Sequence, residues 1–326
     1  MKTITDTHGR VEFRNSVGSG AQVISFRIFC RYIELGCTIL GRSSDIKSLR
    51  LGNNTVKYVE AGKGQPMLFL HNGGSGHWVW HYQIQHFAKN YRVLAFDMLG
   101  CGASDRPDVT YDLGFYSTMA RNILEQLDLK DVILVGNCVG AAAALECASR
   151  DSSRLKALVL FNVCGGHQMM SPMVRLASLP LSHRATHQAA LNVFRRTPKL
   201  VTAAVRTNFA TPQDSSHPVY AAEIKEAFNP LQTASRINLT KGLASFNKFS
   251  QNFDRAEWLP PVAVFWGKEN KVLPLAKGLQ FCDRLKPDQQ HIISNAGHLV
   301  MAEKPSTVNT RIEAFLSGLN AQTVCA

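Results

Sequence analysis

The segment Val-Gly-Asn-Cys-Val-Gly at residues 135–140 constrains the fold of this chain more than any other feature. It follows the apolar run Val132–Val135, which reads as a buried strand, and it precedes the helix-forming run Ala141–Cys147. A glycine two residues before and after Cys138 allows a sharp strand-to-helix turn, which lifts the central side chain clear of the sheet. The N-terminus of the next helix stabilises negative charge there and so lowers a thiol pKa. The pattern therefore predicts a nucleophile elbow with Cys138 as the nucleophile.

Short apolar strands alternate with helical segments on both sides of this turn. The strands predicted before residue 165 are Val56–Glu60, Met67–His71, Arg92–Asp97, Val132–Asn137 and Ala157–Asn162. Two more strands, Pro261–Trp266 and Gln290–Ser294, precede a closing helix at Ser306–Leu319. The alternation predicts an α/β fold with a mostly parallel central sheet and helices on both faces.

Residues 166–255 interrupt this alternation, because they read as helices and polar connections without a strand pattern. A helical insertion between two strands of one sheet predicts a cap over the carboxyl ends of the strands, where α/β enzymes bind ligands. We therefore divide the chain into an N-terminal extension (1–50), a core (51–165 and 256–326) and a helical cap (166–255).

The N-terminal extension contains one predicted amphipathic helix, at residues 22–40. Its narrow polar stripe consists of Arg27, Arg31, Glu34 and Thr38. Such a helix either lies in a membrane interface or packs against the cap or a second subunit, and the oligomeric state stays open. The first twenty residues lack an apolar export signal, so we expect a cytoplasmic protein that is peripheral to a membrane only if this helix binds one.

The net charge of +12 is concentrated in the predicted cap. Residues 166–255 have 11 Lys and Arg against 4 Asp and Glu, which gives +7, whereas residues 51–165 have 10 of each kind. Excess basic charge indicates a nucleic acid, a membrane surface or an anionic ligand, unless it is only a solvated face. No nucleic-acid-binding motif accompanies it, so we expect no nucleic-acid partner. The charge favours a small acyl substrate that is anionic or a carrier-bound thioester.

The cysteines and histidines do not form a metal motif. Eight cysteines are scattered without paired spacing, and Cys101, Cys138 and Cys164 fall near the ends of predicted strands. His183 and His187 have helical spacing but no carboxylate or thiol beside them. We therefore expect free thiols, no metal and no cofactor.

Three further segments have the order and spacing that such a nucleophile needs. They are Leu70–Gly74 at the end of a predicted strand, the glycine-rich turn Asp97–Asp105, and Asn295–His298 after the last predicted strand. The order nucleophile, acid, histidine is that of α/β hydrolases. The sequence thus resembles the α/β-hydrolase superfamily, in its branch of capped epoxide-hydrolase-like and dehalogenase-like enzymes, over residues 51–165 and 256–320.

The resemblance implies a role for each matched position. Cys138 is similar to the nucleophile of the family and His298 to its general base. The backbone N–H groups of Gly73 and Val139 are similar to the oxyanion hole. The segment Trp266–Asn270 is similar to the one that supplies the acid of the catalytic triad.

The sequence also departs from this branch. Epoxide hydrolases and dehalogenases need a carboxylate nucleophile, so a cysteine argues against both activities, and the cap has the single tyrosine Tyr220 where epoxide hydrolases use a pair. Asn270 stands where the family usually has aspartate, and the alternative acid position, Asn162, is also an asparagine. We expect the amide oxygen of Asn270 to accept a hydrogen bond from His298, with Glu269 as the alternative orienting group.

The residues beside these segments are expected to form the substrate pocket. They are His71, Asn72, Trp78, Phe161 and Trp266. The aromatic residues line either the pocket or the core, and His71 either takes part in the reaction or braces its loop.

Together these features predict a hydrolase that cleaves an ester, thioester or lactone through an acyl-cysteine intermediate. The first alternative is an acyltransferase that passes the acyl group from Cys138 to an acceptor other than water. The second is a non-catalytic ligand-binding protein with a hydrolase-like fold.

Overall fold

The computed structural model describes residues 2–5, 11–14, 46–178, 186, 189, 197–213, 216–229 and 231–324. The predicted amphipathic helix at 22–40 lies outside these residues, and so do His183 and His187. The division of the chain into extension, core and cap stays a prediction.

One eight-stranded sheet forms the centre of the molecule. In chain order its strands are β3 (Ile46–Leu51), β4 (Asn54–Ala61), β5 (Pro66–Leu70), β6 (Arg92–Asp97), β7 (Val132–Asn137), β8 (Leu155–Phe161), β9 (Val262–Gly267) and β10 (Gln289–Ile293). Their spatial order is β10-β9-β8-β7-β5-β6-β4-β3. Neighbours from β10 to β6 are parallel, and β4 and β3 extend the sheet antiparallel beyond β6. The predicted mostly parallel sheet is therefore confirmed.

Helices cover both faces of this sheet. The helices of the core are α1 (His81–Phe87), α2 (Leu113–Gln126), α3 (Val139–Arg150), α8 (Leu275–Leu285), α9 (Val300–Glu303) and α10 (Pro305–Val324). Helices α2, α3 and α8 pack on one face, whereas α1, α9 and α10 pack on the other. Both faces of the central strands are thus buried, which explains why β7 reads as a continuous run without polar alternation.

The edge strand β3 begins earlier than the sequence analysis places the core. Residues 46–50, assigned to the extension, pair with β4. Most of β3 is exposed, so Lys47 and Arg50 are tolerated there and the apolar run that marks a central strand is absent. β1 (Lys2–Thr5) and β2 (Val11–Arg14) pair as an antiparallel hairpin, which is also not predicted from the sequence.

The described elements between β8 and β9 are helical. They are α4 (Pro172–Ser178), α5 (Pro198–Arg206), α6 (Pro218–Ala227) and α7 (Gln232–Asn252). No helix in the described part of the chain has both the length and the apolar content of a membrane span.

Candidate active site

Cys138 occupies the turn between β7 and α3 in a conformation that side chains rarely adopt. Its backbone angles are φ 55° and ψ −110°. Such strain costs about 1–3 kcal/mol and persists only where surrounding contacts impose it. Here the Cys138 N–H donates to the Phe161 carbonyl at 2.9 Å, and the Cys138 carbonyl accepts from Ala142 at 3.0 Å. A side chain at Gly140 would lie 2.3 Å from the Leu70 carbonyl, so only glycine allows this approach.

The backbone N–H groups of Gly73 and Val139 both lower the pKa of the Cys138 thiol, and a methyl group at Gly73 would lie 3.2 Å from the Val139 side chain. These are the two donors that the sequence assigns to the oxyanion hole. Because each comes from the backbone, its direction is fixed before a substrate arrives. The predicted nucleophile and the predicted donors thus lie together.

His71 braces the loop that carries Gly73. Its Nδ1 hydrogen-bonds the Asn72 carbonyl at 2.6 Å, while its Nε2 accepts from the Met98 N–H at 2.9 Å. Burial lowers the pKa of His71 to about 4, so the ring is neutral. With both ring nitrogens used by the backbone, His71 is a bracing residue, and its inclusion in the substrate pocket is corrected.

Cys138 has a second thiol, Cys164, as its neighbour. The Cys164 N–H donates to the Cys138 carbonyl at 3.2 Å. The neighbouring Cys164 thiol and burial raise the pKa of Cys138 well above its ordinary value, against the N–H groups of Val139 and Gly73. The Cys138 thiol in turn lowers the pKa of Cys164. In the sequence Cys164 is predicted to lie near a strand end, and no role is predicted for it.

Asn270 faces His298 with its amide nitrogen, whereas the amide oxygen was expected there. Asn270 Nδ2 lies 3.2 Å from His298 Nδ1, and Asn270 Oδ1 accepts from Val272 and Leu273, both at 2.9 Å. Nδ2 also donates to Asn162 Oδ1 at 2.9 Å. Two backbone donors thus hold the oxygen away from the ring, and the predicted hydrogen bond through the amide oxygen is wrong.

This orientation sets the protonation state of His298. An amide nitrogen only donates, so His298 Nδ1 accepts and the ring proton lies on Nε2. Burial also lowers the pKa of His298 to about 4, which keeps the ring neutral at neutral pH. His298 is therefore an N–H donor in the resting site, and it lacks the Nε2 lone pair that a general base needs.

Amides replace carboxylates throughout this network. Asn162 Nδ2 donates to Asn137 Oδ1 at 3.1 Å and to the His298 carbonyl at 3.0 Å. Glu269, the alternative orienting group, instead accepts from the Ala296 N–H through its carboxylate at 3.1 Å. Asn270 is thus the residue that faces the ring, and Asn162 ties it to the end of β8.

The predicted aromatic pocket is only partly formed. Phe161 is 0% exposed and stacks on Phe265 with ring centroids 4.8 Å apart. Trp266 is 2% exposed and donates from Nε1 to the Leu273 carbonyl at 3.0 Å. Both belong to the core, so their assignment to the pocket is wrong. Side chains along a strand alternate between the two faces of the sheet, and helices cover both faces here.

Asn72 and Trp78 keep positions on the rim of the site. Asn72 is nearly buried, and its Oδ1 accepts from Asn137 at 3.4 Å. Trp78 is half-buried and donates from Nε1 to Glu223 Oε1 at 2.9 Å. Glu223 belongs to α6, so this bond ties the insertion to the loop of the core.

Helix α7 lies over the loop of Gly73 and Gly74, which is called the oxyanion loop after the predicted role of Gly73. A methyl group at Gly73 would meet Leu239 at 2.6 Å, and one at Gly74 would lie 3.9 Å from the Nε of Arg236. Neither α7 residue has a signal in the sequence, because helical periodicity alone does not show which turn of a 21-residue helix meets the core. No group of three or more metal-ligating side chains occurs among the described residues.

The sequence relatives that match most of the chain include two bacterial hydrolases. One is the 2-hydroxy-6-oxo-6-(2'-aminophenyl)hexa-2,4-dienoic acid hydrolase of Metapseudomonas resinovorans, 27% identical over 82% of this chain and 89% of the relative. Another is the 2-hydroxymuconate semialdehyde hydrolase of Pseudomonas sp. (strain CF600), 27% identical over 81% and 91%. These relatives support the hydrolase part of the sequence prediction, and the cysteine nucleophile stays a prediction.

Solved structures with the same fold span several activities. A haloalkane dehalogenase from Agrobacterium tumefaciens C58 superposes with a TM-score of 0.68 at 20% identity, covering 84% of this chain and 96% of that one. An epoxide hydrolase gives a TM-score of 0.69 at 18% identity, covering 84% and 99%. A serine hydrolase from Cycloclasticus zankles gives 0.68 at 19% identity, covering 84% and 98%. At these identities the likeness shows the fold alone.

The model of one protein family, described as alpha/beta hydrolase fold, matches residues 65–305. This range includes the elbow, the oxyanion loop and His298, and it covers more than half of the chain. The chain belongs to the alpha/beta hydrolase fold family.

Proposed function

We propose that this protein is a hydrolase that cleaves an ester, thioester or lactone through an acyl intermediate on Cys138. The observation that carries the proposal is the position of the thiol, at a strained elbow between the two backbone donors of Gly73 and Val139. Cysteine is intrinsically a strong nucleophile, and an acyl-thioester forms at such a turn without a metal or an organic cofactor. The serine of related hydrolases is thereby replaced by a residue of the same geometry and different acidity.

We also propose that the acyl substrate carries an anionic group. Arg236 on α7 lies close to the oxyanion loop, and burial lowers the pKa of its guanidinium. Glu226 is ion-paired with Arg106 at 3.9 Å, whereas none of the ion pairs within the described part of the chain involves Arg236. Glu226 and Glu223 raise the pKa of Arg236, and the half-buried guanidinium beside the oxyanion loop still offers charged N–H donors to an anionic group of the substrate. A carboxylate, as in the dienoic acid named for one relative, or the phosphate of a carrier-bound thioester has the required charge.

Arg236→Gln is expected to raise KM for an anionic ester about 10- to 100-fold, since hydrogen bonds to charged groups are worth about 1.5–3 kcal/mol. KM for a neutral ester of the same size should change little. The matched control is Lys241→Gln, which removes an exposed positive charge from the same helix. Equal changes in KM for the two esters would contradict the proposed role of Arg236.

The acyl-enzyme is tested by intact-mass spectrometry. The protein is mixed with a panel of esters, lactones and acyl-thioesters and quenched in acid, and we expect a mass increase equal to the acyl group. The adduct should be absent in Cys138→Ala and present in Cys147→Ala, which removes another buried thiol of α3. Turnover without an adduct, or with Cys138→Ala, would overturn the proposal.

The same experiment separates the alternatives. An adduct that decays in water indicates a hydrolase, and an adduct that decays only after an amine, alcohol or thiol is added indicates an acyltransferase. If no member of the panel reacts and anionic ligands still bind, the ligand-binding alternative is favoured.

A further inference from the structure

Glu303, the last residue of α9, joins the loop of His298 to the helical insertion between β8 and β9. Its two carboxylate oxygens accept from three backbone N–H groups, which are those of Gly297 at 2.5 Å, Ala210 at 2.8 Å and Thr211 at 3.2 Å. A carboxylate suits this place because both of its oxygens accept and neither donates. The side chain thus clamps residues 208–211 of the insertion against residues 297–299, the histidine loop.

The same two segments also meet directly through their backbones. The Asn208 carbonyl accepts from the N–H groups of His298 at 2.8 Å and Leu299 at 3.1 Å. A methyl group at Gly297 would lie 2.7 Å from the Ala210 nitrogen, so the backbones pack too closely for any side chain there. Because buried backbone N–H groups need an acceptor, the histidine loop is complete only with the segment of the insertion in place.

Residues 208–211 are in turn anchored in the insertion. Phe209 is 2% exposed and packs edge-on against Tyr220 of α6, with ring centroids 5.6 Å apart. The His298 carbonyl, in contrast, accepts from Asn162 of the core at 3.0 Å. The backbone of His298 is therefore held on one side by the core and on the other by the insertion, and the position of its ring depends on both.

We propose that Glu303 is a positioning residue for His298, and that it acts by holding residues 208–211 of the insertion against the histidine loop. This inference rests on the proposed function in that His298 serves the reaction at Cys138. A displacement of a reacting group by about 1 Å costs up to about 100-fold in rate. Loss of the clamp should therefore lower kcat, whereas KM should change little.

The test compares variants of the full chain in the hydrolysis of p-nitrophenyl acetate. Glu303→Gln keeps the size of the side chain but turns an N–H group toward at least one of the backbone donors. Gly297→Ala leaves the carboxylate in place and forces the two segments apart. Each is expected to lower kcat about 10- to 100-fold with little change in KM. The matched control is Thr211→Ala, which removes only a hydroxyl contact of 3.4 Å and should keep the wild-type kcat.

A second measurement follows the histidine ring itself and needs no substrate. ¹⁵N NMR should show altered ring shifts of His298 in Glu303→Gln and in Gly297→Ala. The ring nitrogens of His71 bond only to backbone groups of the core, so their shifts should stay as in the wild type. Thermal melting confirms that each variant is folded, and Gly297→Ala decides the question if Glu303→Gln unfolds.

Wild-type kcat in both folded variants would overturn the inference, and so would unchanged ring shifts of His298. A rise in KM at constant kcat would also overturn it, because Glu303 would then shape the substrate pocket without positioning the histidine. If the wild type cleaves neither this ester nor a member of the acyl panel, the proposed function fails, and the ¹⁵N shifts still decide whether Glu303 positions His298.

Discussion

Cys138→Ser is expected to lower kcat by at least about 10³-fold, and adding Asn270→Asp is expected to restore most of that loss. A serine hydroxyl is far less acidic than a thiol, so it needs a base with a free lone pair at the site. His298 lacks one while Asn270 donates to Nδ1. In a serine protease, the change of the triad aspartate to asparagine lowers kcat about 10⁴-fold through the wrong histidine tautomer. In this chain Asn270→Asp is the opposite substitution, from asparagine to aspartate.

The four proteins to be compared are the wild type, the two single variants and the double variant. The carboxylate of Asn270→Asp keeps one oxygen on the N–H groups of Val272 and Leu273 and turns the other toward the ring. Asn162 Oδ1 lies 2.9 Å from the replaced atom, so its amide must rotate to offer an N–H. ¹⁵N NMR of His298 should show the proton on Nε2 in the wild type and on Nδ1 in Asn270→Asp. A double variant no more active than Cys138→Ser would contradict the assignment.

The elbow could be predicted from sequence because its parts are local. Gly136, Cys138 and Gly140 lie within five residues, and the turn needs small neighbours where backbones approach within van der Waals distance. The parallel sheet follows from apolar runs that are buried on both faces. His298 was placed by its order after the last strand, which the fold fixes.

The direction of the Asn270 amide could not be predicted in this way. Oxygen and nitrogen ends of an amide have the same size, and the choice depends on two backbone N–H groups downstream and on Asn162 across the sheet. These groups meet only after β8 and β9 have paired. The residue that faces His298 could therefore be predicted from sequence, but the atom could not. Whether the amide oxygen or the amide nitrogen of Asn270 faces the ring decides if the histidine is a base.

The sequence also did not show whether the aromatic residues line the pocket or belong to the core. Phe161 ends β8 and Trp266 is the penultimate residue of β9, and only the packing of Trp80 against Phe161 and of α8 against Trp266 assigns them to the core. Conversely, Arg236 and Leu239 have no motif, and the structure brings them to the oxyanion loop through the packing of α7. A cap contributes to a site by its fold, which a local pattern does not encode.

The buried carboxyl of Glu223 is expected to make the folded protein less stable as the pH rises from about 4.5 to 7. Burial raises the pKa of Glu223 from 4.5 to about 7, and Glu226 adds to the shift. Hydrogen bonds from Ser75 and Trp78 and the charge of Arg236 oppose it. The native state therefore binds more protons than the unfolded state in this interval, so the free energy of unfolding falls with rising pH. The full loss is about 3 kcal/mol, at about 1.4 kcal/mol per pH unit.

Glu223→Gln tests this dependence, because an amide oxygen still accepts from Ser75 and Trp78 and does not ionise. Urea unfolding is measured at pH 5 and at pH 8. The free energy of unfolding should be lower at pH 8 in the wild type, and most of this difference should be absent in the variant. At pH 8 the variant should be the more stable protein by a few kcal/mol. Glu257→Gln removes an exposed carboxyl and should keep the wild-type dependence. If Glu223→Gln kept it as well, the carboxyl would be ionised in the folded state without cost.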